Sequence, residues 1–548
     1  MDSESGVHGV TEAAEGRLFT RQATGLVRSV SPMSTLIFNC FTAPAPFVLA
    51  IALFWTLGAF PGANLYVALV LGYLAGIVFA FAISTVTSAM PRSGGDYVFV
   101  GRILHPIAGI VSSFCFTAGV LGSAAAITLF LVTGALAPSL SVIGLVTESP
   151  RLLDWGATLG SSKGWQFAVG VLFLVLVTTL AATGWKWSLR VQNFGFVLAA
   201  LGLLVTAIVV LANGGEDFVA SFNSFANPIT GDANSYQGVI DAAAKAGVNT
   251  DIGSNFSNTW PAFGAVIGFS IYAFYSTHIS GEVRQAGTWK TSAVMTGAAA
   301  INMIACVVMT AIFLDGFGSE FFASANAVNG TDAWPFAAPP FYVFLASIAG
   351  GSGVIAWFLG ISIVMTFFVV LWLQLMQPIR ALFAYAFDGV LPLRIAYVSP
   401  RSRVPVVSLG IVFLMVLALY SWAVYGSNFF TVYATAVIIT VVALVLMSVS
   451  VIVFAHRRPE LWRGSAITKR VAGVPVTTIA GFGALIVAVA NGFLFLKYPG
   501  LGISDRGAAL RNVGIVVAAA IIVYAVANYV RGREGINLTR ATSEIPPE

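Results

Sequence analysis

Apolar residues in this chain run in long unbroken blocks rather than in alternation or in one-sided helical stripes, and the polar residues collect in the gaps. Twelve blocks reach spanning length, at about 34–59, 65–90, 104–137, 164–184, 192–213, 259–283, 291–315, 353–386, 404–424, 429–456, 474–496 and 511–531. About 20 apolar residues wound as a helix cover the roughly 30 Å hydrocarbon layer of a bilayer. The pattern therefore predicts an all-α polytopic membrane protein with twelve transmembrane helices. A further apolar stretch, 335–351, precedes the eighth block. Pro335, Pro339, Pro340 and the Gly350–Gly351 pair bound it closely. It reads as a partly buried loop helix rather than a thirteenth span.

The first block carries its own interruption. Residues 34–59 hold no charge, yet Pro44 and Pro46 sit near the middle, with Asn39 about one turn before them. Proline lacks a backbone N–H and clashes with the preceding turn, so the helix is expected to break at mid-depth. Unpaired backbone at that depth is tolerated only against protein or a polar cavity. Broken spans of this kind mark binding sites in membrane transporters.

Composition agrees with the membrane reading. Of 548 residues, 58% are hydrophobic and 9% charged, with a mean hydropathy of +0.90; soluble domains carry about 25% charge. The formal charge of +5 is no sign of nucleic-acid binding, because the charges lie between apolar blocks. Cys40, Cys115 and Cys306 fall inside blocks, with neither disulfide nor metal spacing. No pair of histidines or carboxylates lies within the spans, so no catalytic residue, cofactor or metal is expected, and a membrane-embedded enzyme or electron carrier is disfavoured. Residues 1–33 lack the short apolar core of a signal peptide.

Charge sorts by side. With the N-terminus in the cytoplasm, 21 of the 27 lysines and arginines fall on cytoplasmic segments, and only Arg151, Lys163, Lys245, Lys497, Arg506 and Arg511 fall outside. This positive-inside bias places both termini in the cytoplasm of a multi-pass cell-membrane protein and supports an even number of spans. Thirteen spans would spoil the pattern. The longest polar stretch, 214–258, is then external and divides the chain. The expected organisation is a cytoplasmic segment 1–33, five helices over 34–213, an external loop 214–258, five helices over 259–456, a cytoplasmic loop with helices 11 and 12 over 457–531, and a cytoplasmic tail 532–548 that reads as disordered. The counting suggests two five-helix repeats. Asn255-Phe256-Ser257 and Asn329-Gly330-Thr331 are external sequons.

Three loops hold the most distinctive residues. PRSGGDYVFVGR (91–102) follows the second block, and its Gly94–Gly95 pair suits a tight turn with positive φ. SGEVR (280–284) follows the sixth, where Glu282 and Arg284 read as interfacial anchors. Arg380 and Asp388, in the segment after the eighth, stand two turns apart on one helical face, followed by the stop signals Gly389 and Pro392. In this order the three resemble the amino acid–polyamine–organocation superfamily. Its Pro-x-Ser-Gly-Gly-x-Tyr loop is matched by Pro91, Ser93, Gly94, Gly95 and Tyr97. Its glutamate-basic segment is matched by Glu282-Val283-Arg284. Its Arg-x-x-x-Ala-x-x-Asp-Gly-x-x-Pro segment is matched by Arg380, Ala384, Asp388, Gly389 and Pro392.

The resemblance implies a LeuT-like fold, with a 5+5 inverted repeat plus two C-terminal helices and with the first and sixth helices unwound at the substrate site. It implies a secondary transporter of amino acids or related small organic solutes that works by alternating access. The family's first-span Gly-Ser-Gly-Ile-Phe-x-x-Pro stretch overlays Ile37 to Pro44. Phe41 and Pro44 match, while Ile37 and Asn39 replace the glycines. The substrate-binding candidates are therefore Ile37, Asn39, Cys40 and Phe41 in the first span, and Phe269, Tyr272, Ala273 and Phe274 in the sixth; lipid or core packing is the alternative for the aromatics. His278, the one histidine well inside a span, reads either as a functional ionisable group or as a neutral, hydrogen-bonded side chain near the interface. Ser362 and Thr366 offer oxygens to a sodium ion, or else bond to their own helix. The fifth block has no lysine of the kind some proton-coupled relatives carry. Sodium coupling, proton coupling and exchange stay open. So do a polyamine or nucleobase substrate, a non-transporting nutrient sensor on the same fold, and a channel, although no ring of filter residues is present.

Overall fold

The computed structural model describes residues 28–535 together with Leu538. Most of segment 1–33 and most of the tail whose disorder is expected lie outside the described residues. Among the described residues, twelve helices are long and apolar enough to cross a membrane, as the hydropathy predicts: Pro32–Ala59, Leu65–Ala89, Pro106–Val146, Lys163–Ala182, Trp185–Ala212, Phe256–Glu282, Lys290–Gly316, Gly353–Phe387, Val406–Gly426, Phe429–Arg457, Val476–Lys497 and Arg506–Arg533. The even number puts both ends of the described chain on one face, called here the basic face.

The third span runs nine residues beyond its expected end. A wide π turn over Leu131–Leu136 comes just before Pro138. The wider turn moves the backbone carbonyls that a proline ring would otherwise strike, so the helix continues past it.

The first, second, third, sixth, eighth and tenth spans are the most buried. The fourth, fifth, ninth, eleventh and twelfth display large apolar side chains such as Leu172, Phe194, Leu204, Leu414, Ile486 and Ile522, the surface that hydrocarbon requires. On the face opposite the basic one, the polar stretch 214–258 is not a bare connection. It folds into helices Glu216–Thr230 and Ser235–Lys245. Phe218 and Phe222 are fully buried there, and Tyr236 stacks on Phe321 at 4.2 Å. The 335–351 stretch supplies a short buried helix, Tyr342–Gly350, and not a span.

Candidate functional site: a cavity between two broken spans

The first span is two helices, Pro32–Cys40 and Ala45–Ala59, joined by an unwound turn over 41–44. Pro44 caps the second helix, and Pro46 lies in its first turn, where a missing N–H costs nothing. The prolines thus end one helix and start another. Three of the backbone groups freed by the break are held by side chains from elsewhere. Asn302 of the seventh span donates through Nδ2 to the Cys40 carbonyl (2.9 Å) and accepts through Oδ1 from the Ala45 N–H (3.3 Å). The Tyr73 hydroxyl donates to the Ala43 carbonyl at 3.1 Å.

The sixth span breaks at the same depth without a central proline. Its helix Phe256–Ser270 stops, residues 271–274 form turns, and a 3₁₀ helix continues over Tyr275–Glu282. Again distant groups hold the open backbone. Tyr433 donates its hydroxyl to the Gly268 carbonyl at 2.7 Å. Asn39 accepts from the Ser276 N–H through Oδ1 and donates to the Ser276 hydroxyl through Nδ2, both at 3.0 Å. One buried amide therefore joins the two basic-face half-helices. Asn39 stands where the resemblance places a glycine, and it recognises protein.

Between the breaks lies a narrow, nearly closed cavity of about 30 Å³. The first span contributes Thr42 and Phe47, the sixth Phe269, Tyr272 and Tyr275, and the third, eighth and tenth complete it with Gly119, Ser123, Gln374, Tyr433 and Thr440 among others. Its rings interlock: Phe47 meets Phe269 edge-on at 4.9 Å, and Phe269 stacks on Tyr433 at 4.7 Å. Its polar groups are neutral. Gln374 Nε2 donates to Ser123 Oγ at 3.0 Å, Thr42 donates to the Asn39 carbonyl at 2.6 Å, and the hydroxyls of Tyr272 and Thr440 are 2.8 Å apart. Among the described residues, no Asp, Glu, Lys, Arg or His lines it. A close approach at Gly119 is compulsory, because a Cβ there would strike Thr440 and the Ala436 carbonyl.

Of the residues singled out in sequence, Phe269 and Tyr272 line this cavity. The others lie around the breaks but not on its wall. Cys40, through its carbonyl, and Asn39 are engaged as described. Phe41 meets Phe196 of the fifth span at 6.3 Å, and Phe274 packs on Phe79 at 5.1 Å. Ile37 and Ala273 are buried. Ser362 donates to the Leu198 carbonyl (3.0 Å) and Thr366 to the Ser362 carbonyl (2.9 Å). Sequence reasoning missed Thr42, Phe47, Ser123, Gln374, Tyr433 and Thr440. Gln374 had a usable signal, since an amide in the middle of an apolar span asks for a polar partner.

Toward the basic face the three loop motifs converge. Glu282 reads from sequence as an interfacial anchor, but it is 1% exposed. It accepts from Arg380 Nε at 2.9 Å and Nη2 at 3.2 Å, and from Trp185 Nε1 at 2.6 Å. Asp388 accepts from Arg102 Nη2 at 2.7 Å and from the Tyr97 hydroxyl at 2.9 Å. Arg380 and Asp388 thus use their shared helical face to reach two different partners. Gly94 and Gly95 adopt positive φ, +102° and +49°, and Gly94 N–H donates to the His278 carbonyl at 3.1 Å. A Cβ on Gly95 would run into the His278 ring. The glycine pair is what lets the loop lie against the sixth span. His278 is fully buried, but neither ring nitrogen is hydrogen-bonded, contrary to the hydrogen-bonded side chain that sequence suggests. Its nearest acidic neighbour, Asp96 Oδ1, stands 3.7 Å from Nδ1.

The family model described as "Amino acid permease" matches residues 23–528. No curated protein matches the chain.

Proposed function

The chain belongs to the amino acid permease family, and we propose that it is a secondary transporter that carries a neutral amino acid by alternating access at the cavity between the first and sixth spans. The observation that carries this is the cavity wall: two half-helix pairs meet at it, and every lining side chain is uncharged. Helix ends present amide donors on one side of a break and carbonyl acceptors on the other. The groups at the breaks that Asn302, Tyr73, Tyr433 and Asn39 leave open can hold a zwitterion without a buried counter-ion. The substrate side chain then meets aromatic rings, Ser123 and Gln374. A polyamine would bury two or more ammonium groups without one carboxylate, which costs several kcal/mol per charge. This weighs against the polyamine alternative.

The breaks fall five spans apart, in keeping with two five-helix repeats, and the lysines and arginines of the basic face favour that face as cytoplasmic. The aromatic layer of Phe47, Phe269 and Tyr433 serves as one gate. The buried pairs Glu282–Arg380 and Arg102–Asp388 serve as the other.

Reconstitution in liposomes tests the reading. Labelled leucine or phenylalanine enters in a saturable way, competed by neutral amino acids and not by putrescine or spermidine. Competition by the polyamines with no effect of neutral amino acids is the result that overturns the assignment.

A further inference from the structure

A buried acid–imidazole contact on the basic-face side of the cavity is left unused by substrate recognition and by the charge pairs. Asp96 begins the short helix Asp96–Ile103, in the loop after the second span. It is fully buried. Its Oδ2 accepts from the Ser112 hydroxyl at 2.7 Å, while Oδ1 has no hydrogen-bond partner. Across from Oδ1, at 3.7 Å, is Nδ1 of His278, whose two ring nitrogens are both without a partner. Three unsatisfied polar atoms face or adjoin one another in an apolar setting, with Phe116 against the imidazole at 4.7 Å. Unpaired buried polar atoms each cost about 1–3 kcal/mol, so such a group needs an explanation.

We propose that Asp96 and His278 form a binding site for one proton, shared between carboxyl and imidazole, whose occupancy fastens the 3₁₀ half of the sixth span to the helix Asp96–Ile103. The role as coupling ion rests on the transporter reading above. With a proton between them, the carboxyl O–H donates to the imidazole nitrogen once the gap closes by less than about 1 Å. Without it, the carboxylate faces either an acceptor nitrogen that repels it or an Nδ1–H, and in both cases a net negative charge is left buried without a counter-charge, which loosens the contact.

Position gives the site its leverage. His278 belongs to the half-helix Tyr275–Glu282, which Asn39 ties to the basic-face half of the first span. A change at Asp96–His278 therefore bears on both moving halves at once. Of the other ties between this half-helix and the loop, Gly94 N–H to the His278 carbonyl and Ser280 to the Arg92 carbonyl, neither depends on protonation.

The neighbours of Asp96 leave it as the group that titrates. From its own helix come Tyr97 and Arg102, both turned to Asp388. From the third span come Ser112, Ser113 and Cys115, and from the eighth Tyr385. Arg380 is engaged by Glu282. Arg457 and Arg458, at the end of the tenth span, donate to the carbonyls of Leu104 and Arg102. Burial pushes the Asp96 carboxyl up to about 7, against the opposing hydrogen bond from Ser112. A carboxyl raised in the folded state loses stability as pH rises from the unfolded value, 3.8, through about 7.

Two readouts test the site. Infrared difference spectra recorded as pH is stepped from about 5 to about 9 show one buried protonated carboxyl that disappears. That band is missing in Asp96→Asn, and its midpoint moves in His278→Gln, which carries the test if the first variant does not fold. Its persistence in Asp96→Asn, or its absence from wild type, overturns the site. A pH-sensitive dye inside liposomes reads the coupling: leucine or phenylalanine uptake acidifies the lumen with wild type and not with Asp96→Asn. Uptake by wild type without acidification overturns the coupling role. If neither amino acid enters at all, the transporter reading fails, and the infrared result still decides whether the proton site exists.

Discussion

Glu282→Ala lowers stability by about 3–5 kcal/mol, the cost of leaving a buried charge without its partner. Arg380 is 4% exposed at its side chain and its Nε and Nη2 both bond to Glu282. Its guanidinium also lies 5.2 Å from the centre of the Trp185 ring, so it has no aqueous position to retreat to. Removing Glu282 strands the Arg380 guanidinium and the Trp185 N–H together. The double variant Glu282→Leu/Arg380→Met recovers most of the loss, because two apolar side chains of similar volume replace a desolvated pair at little cost. Melting midpoints in detergent for the single variants Glu282→Leu and Arg380→Met and for the double variant make this a thermodynamic cycle. A loss below about 1 kcal/mol in both single variants, the value of an exposed pair, contradicts the buried-pair account.

Asn302→Leu has the second large effect, and it is local. The substitution keeps the volume but leaves the Cys40 carbonyl and the Ala45 N–H without their partner. Each unsatisfied buried group costs about 1–3 kcal/mol, more keenly felt where no water can replace the lost bond. Hydrogen–deuterium exchange should quicken over residues 37–48 and stay unchanged in the peripheral spans, and uptake should fall with it. Exchange that rises evenly across the whole chain, or not at all, contradicts the role of Asn302 as the bridge over the break.

These two residues mark where sequence was readable and where it was not. Hydropathy is a property of each segment alone, so all twelve spans could be seen, and so could the break at Pro44 and Pro46, whose cause is covalent. The break in the sixth span has no proline. It depends on Asn39 and Tyr433, which lie 237 and 165 positions from the groups they satisfy. No local pattern encodes that. The loop motifs gave the family, but not the pairing. Arg380 and Asp388 look like mates on one helical face, yet each is bound by a different loop. The cavity wall was half legible. Phe269 and Tyr272 follow from the break, whereas Ser123, Gln374 and Thr440 come from unbroken spans whose facing is set only by packing. Asn302 was invisible for the same reason, an ordinary asparagine in an apolar span until its two backbone partners are known.

The central claim is that the cavity beside Ser123 and Gln374 holds the transported molecule. A cysteine placed there reads this directly. With Cys40, Cys115 and Cys306, all buried, replaced by alanine, Ser123→Cys is labelled by a small thiol reagent in proteoliposomes. Leucine or phenylalanine is added over the range in which uptake saturates. The account predicts protection of the cysteine with the same half-saturating concentration as uptake. Labelling at Ser123→Cys that is indifferent to every amino acid the protein transports contradicts it.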